Sequence, residues 1–239
     1  MHAKPCIDIV IPVFNNSDVL EWSIMKQVEF YRKHLQGYGW RIIIADNASR
    51  DRTPDIGKSL AARYPEVTYS FIQTQGRGIA LRTAWSKSSA DYVSYMDVDL
   101  ATDLEAVPKL LGHLDGGADV AVGSKYIAGA VHKRRLNRYI LSRGYNWLTS
   151  FLLKTKFTDA QCGFKSLTKK AADRILPLIK DDFWFFDTEL LYFAEKLGMH
   201  TTEVPVQWEE GRKSGVKLFK TTSSFLKNLL ELRKRPILR

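Results

Sequence analysis

Asp91-Tyr-Val-Ser-Tyr-Met-Asp-Val-Asp-Leu100 joins a short β-branched and aromatic run, Asp91–Asp97, to two carboxylates two residues apart. A run of that length and composition predicts a buried strand. On a continuing strand Asp97 and Asp99 would face opposite sides, whereas a turn at Val98 brings both toward one ligand. Buried carboxylates repel each other and lose hydration unless a cation or hydrogen-bond donors compensate. A hard divalent ion is the natural partner, because Mg2+ takes one or two protein carboxylates and completes its shell with substrate phosphates and water.

Four further runs of the same kind flank this one: Ile7–Phe14, Arg41–Asp46, Val67–Gln73 and Asp119–Ser124. Amphipathic patterns over Asp18–His34, Pro54–Tyr64, Ile79–Ser88 and Leu104–Leu114 alternate with them and predict helices. Ser17 is the expected N-cap of the first, and Pro54 the first helical residue of the second. Near-continuous apolar strands alternating with helices predict one α/β domain with a mainly parallel sheet covered on both faces. Ligands of such sheets bind beyond the carboxyl ends of the strands. Asp97, Asp99 and Asp46 therefore fall at the expected mouth, although Asp46 followed by Asn47-Ala48-Ser49 also suits a plain turn or helix cap.

The second half is less regular. It predicts a helix over Leu136–Leu153, a strand over Gly163–Leu167, helices over Thr168–Leu176 and Asp187–Leu197, the latter closed by Gly198, and a strand over Thr202–Val206. Trp208–Val216 is polar and reads as a loop. In Leu218–Leu232 an apolar stripe of Leu218, Phe225, Leu229 and Leu232 lies opposite Lys220, Lys227 and Lys234. Asp187 and Glu189 open a predicted helix, where carboxylates suit the helix dipole as well as a site. Gly76-Arg77-Gly78 allows a close backbone approach to phosphate but lacks the third glycine of a dinucleotide fingerprint.

Of 239 residues, 45% are hydrophobic and 26% charged, enough for a packed core and against disorder. No apolar run approaches the roughly 18 residues of a membrane span, and Met1-His-Ala-Lys-Pro5 lacks the apolar stretch of a secretory signal. Two cysteines, Cys6 and Cys162, are too few for a disulfide framework, and a reducing compartment is expected. The net charge of +10 is local: residues 125–170 hold eleven Lys/Arg against one acid, and residues 211–239 nine against one. The remainder holds 16 basic and 24 acidic residues, a net of −8. Two basic blocks over an acidic background predict a polyanionic partner: a phosphorylated ligand, nucleic acid or an anionic membrane surface.

Seven segments, in order, resemble glycosyltransferase family 2: Ile11-Pro-Val-Phe-Asn15, Ala45-Asp-Asn-Ala-Ser-Arg-Asp-Arg-Thr53, Gly76-Arg-Gly-Ile-Ala-Leu-Arg-Thr-Ala84, Met96-Asp-Val-Asp-Leu-Ala-Thr102, Gly123-Ser-Lys-Tyr126, Asp159-Ala-Gln-Cys-Gly-Phe-Lys165 and Phe186-Asp-Thr-Glu-Leu-Leu191. Within that family the chain is most similar to dolichyl- or polyprenyl-phosphate mannose and glucose synthases. The resemblance implies the GT-A fold, a Rossmann-like, mainly parallel sheet in a single catalytic domain over residues 1–217. Residues 218–239 would form a basic amphipathic helix, either at a membrane interface or packed on the domain. It also implies an inverting transfer of a hexose from a UDP-glucose or GDP-mannose type donor to a polyprenyl phosphate. Mg2+ or Mn2+ is the implied cofactor, the protein is expected to be cytoplasmic and peripheral on the cytoplasmic face of a membrane, and no nucleic-acid partner is expected.

By the same resemblance, Pro12, Val13, Phe14 and Asn15 would border the donor nucleotide, Asp46 would bind its base or ribose, and Arg77 would lie near it. Asp97 would face the nucleotide-sugar and Asp99 hold the metal, with Asp97 as a further ligand. Lys125, Arg138, Lys213 and Lys217 would meet donor or acceptor phosphate, and Asp187 falls where relatives with hydroxyl acceptors place a base. Three departures stand out. Asn16 replaces a common glutamate, Ala101 replaces a metal-binding glutamine of some mannose synthases, and Lys125 replaces an arginine, losing bidentate phosphate geometry. The alternative is a family 2 transferase acting on a sugar or protein hydroxyl with Asp187 as base; a remote one is a basic nucleic-acid-binding protein.

Overall fold

The computed structural model describes residues 4–133, 136–209 and 218–236, with side chains except at 136–138 and 218–224. The first half alternates β1 (Cys6–Val13), α1 (Leu20–His34), β2 (Gly39–Asn47), α2 (Thr53–Arg63), β3 (Val67–Ile72), α3 (Arg77–Ser86), β4 (Tyr92–Met96), α4 (Ala106–Asp115) and β5 (Val120–Ser124). The second half adds β6 (Val131–Lys133), α5 (Leu136–Leu153), β7 (Phe164–Thr168), α6 (Lys169–Ile175), α7 (Phe186–Lys196), β8 (Thr201–Pro205), β9 (Gln207–Glu209) and α8 (Leu218–Lys234). Seven strands form one sheet in the order β3-β2-β1-β4-β7-β5-β8. Neighbours pair in parallel except β7, which is antiparallel to both β4 and β5.

Helices cover both faces, so the strands read as unbroken apolar runs: Ile7, Ile9, Val10, Ile11, Ile42, Ile44, Val93 and Val120 are all at most 1% exposed. The chain leaves β1 toward β2 on one side and returns to β4 on the other. Their carboxyl ends diverge there and open a crevice for ligand. β7 runs the other way, so its first residues arrive at that same mouth, with Phe164 paired to Met96.

Local readings differ in four places. Ser17 does not cap α1: Val19 occupies that position, and the Asn16 carbonyl accepts from the Val19 and Leu20 amides. Pro54 is the second residue of α2, after Thr53. β6 and β9, three residues each, pair in parallel beside the main sheet. They were invisible in the sequence because strands this short and polar carry no periodicity. The predicted loop Trp208–Val216 thus begins inside β9, and its remainder lies outside the described residues.

The fourth place is α8, which packs on the domain. Its predicted apolar stripe is turned onto the protein, with Leu229 and Leu232 0% exposed and the Phe225 ring 5.1 Å from that of Tyr145 in α5. Arg235 pairs with the buried Glu189 of α7, whose other oxygen takes the Lys180 and Asp181 amides at 2.8 Å. Glu189 therefore braces the turn before α7. Lys227 and Lys234 face solvent as read.

Candidate active site

Asp97 is the first residue beyond β4. The Leu100 amide donates to the Asp97 carbonyl at 3.4 Å, and Leu100 has φ 50°, closing a turn through Val98 and Asp99. The turn leaves the Asp97 side chain 46% exposed. Asp99 is exposed, with Oδ1 accepting from the Ala101 amide at 3.1 Å. β7 shapes the seat from the other side. A Cβ at Gly163 would lie 1.9 Å from Asp97 Oδ2, so this carboxylate fits only because residue 163 has no side chain.

Arg77, at the start of α3, ties the mouth together. Its Nη2 donates to Asp97 Oδ1 and its Nη1 to Asp187 Oδ2, both at 2.8 Å. The planar guanidinium lies against the rings of Tyr95 (4.9 Å) and Trp184 (4.8 Å), and the side chain is 10% exposed. Behind it, Asp187 Oδ1 accepts from Lys165 Nζ at 2.7 Å and from the Tyr95 hydroxyl. Lys165 is fully buried and also donates to the Cys162 carbonyl at 2.6 Å.

Two cations, Arg77 and Lys165, thus face three carboxylates, Asp97, Asp99 and Asp187, leaving one negative charge at the opening. Burial works to raise the Asp187 carboxyl, yet Lys165 and Arg77 hold it below the usual carboxylate range. Desolvation pushes the Asp97 carboxyl above that range; Arg77 opposes the shift and Asp99 adds to it. The excess charge lies at the solvent side, where a cation would relieve it. Among the described residues no group of three or more His, Cys, Asp or Glu side chains is arranged to hold a metal. Asp97 and Asp99 are two oxygen ligands, a set that fits Mg2+ or Mn2+ only when a substrate's phosphate oxygens complete the shell.

The other nucleotide-side residues form the neighbouring wall. Pro12 is half-buried, Val13 is 1% exposed, Phe14 is 37% exposed, and Asn15 has φ 52° at the exposed end of β1. Asn15 N donates to Ser49 Oγ (2.9 Å), and Asn15 Oδ1 accepts from Arg50 N (2.8 Å), which fixes the β1 loop on the β2 loop. Asn47 Oδ1 accepts from Gly76 N at 2.7 Å and links the same loop to α3. Asp46 is 0% exposed; its Oδ1 takes the Ser49 amide (2.9 Å) and its Oδ2 the Tyr69 hydroxyl (2.6 Å). Its carboxylate here serves the turn that the sequence also allowed.

Two of the groups read as phosphate contacts have protein partners. Cβ atoms at Gly76 and Gly78 would lie 2.3 Å from the Asp182 carbonyl oxygen and 2.6 Å from that of Asp181. These glycines are required by the close approach of the 181–182 backbone. Lys125, expected on phosphate, is 7% exposed, with Nζ 2.6 Å from Asp159 Oδ2. Desolvation works to lower its pKa, but the surrounding negative groups, Asp159 among them, raise it above the usual lysine value. Among the described residues Lys125 is the cation paired with Asp159, which is 0% exposed. Arg138 lies in the first turn of α5, where only backbone is described, and Lys213 and Lys217 lie outside the described residues.

Lys165, Tyr95, Gly163 and Trp184 were given no role from sequence. A lysine inside an apolar run was the available signal, since a buried ammonium demands a carboxylate partner.

The model of glycosyl transferase family 2 matches residues 8–176. The chain belongs to glycosyl transferase family 2. Glycosyltransferase AglD of Haloferax volcanii is 31% identical over 96% of this chain, which spans 38% of AglD's length. Dolichyl-phosphate beta-glucosyltransferase of Mus musculus is 28% identical over 96% of this chain and 75% of its own. Among solved structures, glucosyl-3-phosphoglycerate synthase from Mycobacterium tuberculosis, in complex with Mn2+, UDP-glucose and phosphoglyceric acid, superposes with a TM-score of 0.72 at 17% identity. The match covers 98% of this chain and 81% of that one, and shows the shared GT-A fold. This family 2 member is therefore a glycosyltransferase whose acidic pair and Arg77 stand at the mouth of a GT-A sheet.

Proposed function

We propose that the enzyme moves a hexose from a nucleotide diphosphate sugar, UDP-glucose in the first instance, to the phosphate of a dolichyl or polyprenyl lipid at a membrane surface. The observation that carries this reading is Arg77 bridging Asp97 and Asp187, with Asp97 half-exposed and Asp99 beyond it. The similarity to dolichyl-phosphate beta-glucosyltransferases supports the acceptor class and the sugar. The UDP-glucose and Mn2+ held by the structural neighbour support the donor and the ion class.

The reaction is an inverting displacement: the acceptor oxygen bonds to the anomeric carbon as that carbon's bond to the β-phosphate oxygen breaks, and UDP departs. Asp99, with Asp97, would hold Mg2+ or Mn2+, which when bound offsets charge developing on the leaving diphosphate. Arg77 lies beside the same position and adds fixed positive charge that needs no reorganisation. Asp97, oriented by Arg77 and by the Gly163 backbone, would face the donor sugar. Pro12–Asn15 and the Asp46–Ser49 turn would border the nucleotide, and Arg138 of the first basic block with Lys213 and Lys217 of the second would meet acceptor phosphate.

A hydroxyl acceptor would need a base. Asp187 is 1% exposed and held ionised by two cations, so it is a weak base and an effective anchor for Arg77. A phosphate acceptor is already anionic and needs none. Incubation with labelled UDP-glucose, Mn2+ and a short polyprenyl phosphate, followed by solvent extraction, tests the reading. Label in the lipid phase supports it, and no transfer to lipid with transfer to a soluble sugar hydroxyl defeats it. On the phosphate reading Asp187→Asn shows a loss set by disturbed Arg77 geometry, without loss of an acidic limb, the fall in activity as a general base is protonated, from the pH profile.

A further inference from the structure

α5 has its polarity reversed. Its inner face, Ser142, Asn146, Thr149 and Leu153, is buried yet mostly polar, with Asn146 Oδ1 accepting from Ala160 N at 3.0 Å and Ser142 Oγ accepting from Tyr126 OH at 2.7 Å. Its outer face is apolar: Ile140, Trp147 and Phe151 are 61%, 68% and 67% exposed. The seven- and four-residue spacing places them in one stripe, and the Trp147 and Phe151 rings stack at 5.6 Å. A surface helix of a water-soluble domain shows the opposite arrangement. α8, packed beside α5 through Phe225 and Tyr145, adds exposed Leu226 and Leu230.

Charge indicates what this face meets. α5 contains no acidic residue, and Arg143, Lys154 and Lys156 are exposed around the stripe. Lys227, Arg233 and Lys234 are exposed on α8, where the acidic Glu231 already pairs with Lys227. Two copies of such a face would bring like charges together, whereas an anionic lipid surface complements both the stripe and its rim. No helix among the described residues is long and apolar enough to cross a membrane, so contact is along the surface. On its inner side α5 reaches the site: the hydroxyls of Tyr145 and Thr188 are 2.7 Å apart, and Thr188 adjoins Asp187. One helix diameter, about 10 Å, thus separates the stripe from the catalytic neighbourhood.

We propose that the outer face of α5, extended by Leu226 and Leu230, docks on an anionic lipid surface and brings lipid-borne phosphate within reach of the site. What the phosphate does there rests on the function proposed above; the docking itself does not. The test is co-sedimentation of the whole chain with vesicles of phosphatidylcholine and phosphatidylglycerol, against vesicles of phosphatidylcholine alone. Trp147→Ser with Phe151→Ser removes exposed side chains and should leave thermal unfolding unchanged while lowering vesicle partition by roughly tenfold or more. Lys154→Gln with Lys156→Gln should lower partition several-fold on the anionic vesicles alone. Unaltered partition of the aromatic double variant overturns the proposal. So does a wild-type dimer in sedimentation equilibrium that the aromatic substitutions dissolve, which would make this a face between two copies. Stabilisation by UDP-glucose with Mn2+, measured without lipid, should be the same for wild type and the aromatic variant. Vesicle binding lost as expected, with UDP-glucose stabilising neither protein, would uphold docking and defeat the donor assignment.

Discussion

Gly163→Ala separates the site from the fold. The added Cβ would lie 1.9 Å from Asp97 Oδ2, 2.5 Å from Cγ and 2.8 Å from Oδ1. Nonbonded heavy atoms settle at about 3.5–4.0 Å, so the carboxylate must move by more than ~1 Å. Asp97 gives way rather than the paired strands behind it, because its side chain is 46% exposed whereas β4 and β7 are fixed by a ladder from Tyr92–Thr168 to Met96–Phe164. The movement breaks the 2.8 Å bond to Arg77. A bond to a charged group is worth about 1.5–3 kcal/mol net, and partial exposure of this one argues for the lower end. In a chain of this size each kcal/mol lowers Tm by roughly 2–4 °C, so a drop of about 3–6 °C is expected. Activity should suffer more, since displacing a reacting-centre group by ~1 Å costs on the order of a hundredfold in kcat/KM. Steady-state transfer from UDP-glucose and a thermal melt on the same preparation provide the comparison. A variant within about threefold of wild-type kcat/KM, or one that fails to fold, would refute the assignment of Gly163 to the seat of Asp97.

Lys165→Met leaves Asp187 buried with Arg77 as its remaining cation, and urea unfolding should report a loss of about 3 kcal/mol, the low end for breaking a buried pair; a loss under ~1 kcal/mol would mean that Lys165 is dispensable to this network. Burial pushes the Cys162 thiol up to about 11 while Cys6 is exposed, so a chromogenic disulfide reagent at neutral pH should titrate one thiol in the native enzyme and a second only after denaturation. Although desolvation opposes it, hydrogen bonds from Thr53 and Ser17 hold Asp51 near 2, below its ordinary 3.8. A depressed carboxylate stabilises the native state above its unfolded pKa and loses that contribution as pH falls through the folded one. Thermal melts of wild type should therefore lose stability between pH ~4 and ~2 by more than those of Asp51→Asn, and parallel curves would contradict the Asp51 bridge between the β1 and β2 loops.

Strands and helices of the first half were legible because both faces of the sheet are covered: runs such as Ile7–Val13 and Ile42–Ala45 have no polar interruption except where Asp8 pairs with Arg41. The mouth was legible for the same reason, since acids that close apolar strands fall at carboxyl ends. What escaped was pairing across the chain. Nothing local tells that Lys165 meets Asp187, that Gly163 makes room for Asp97, or that Lys125 turns inward to Asp159, because each partner is separated by 22 to 66 residues and joined only by the antiparallel insertion of β7 or the loop before it. The stripe of α8 was legible as apolar, but which of two surfaces it meets was not, since a helix pattern alone does not say whether protein or lipid covers it; Leu229 and Leu232 are buried against the protein. The outward stripe is on α5, where polar residues face the interior.

The central claim is that Asp97 and Asp99 join a divalent ion to the diphosphate of a sugar donor. Isothermal titration of UDP-glucose into wild type and Asp99→Ala, each with Mn2+ and with chelator, tests it most directly. The account predicts wild-type binding that weakens on the order of tenfold or more when chelator replaces Mn2+, and Asp99→Ala binding that is weak and indifferent to the metal. Equal wild-type affinity with and without the ion, or a full Mn2+ effect retained by Asp99→Ala, would contradict it.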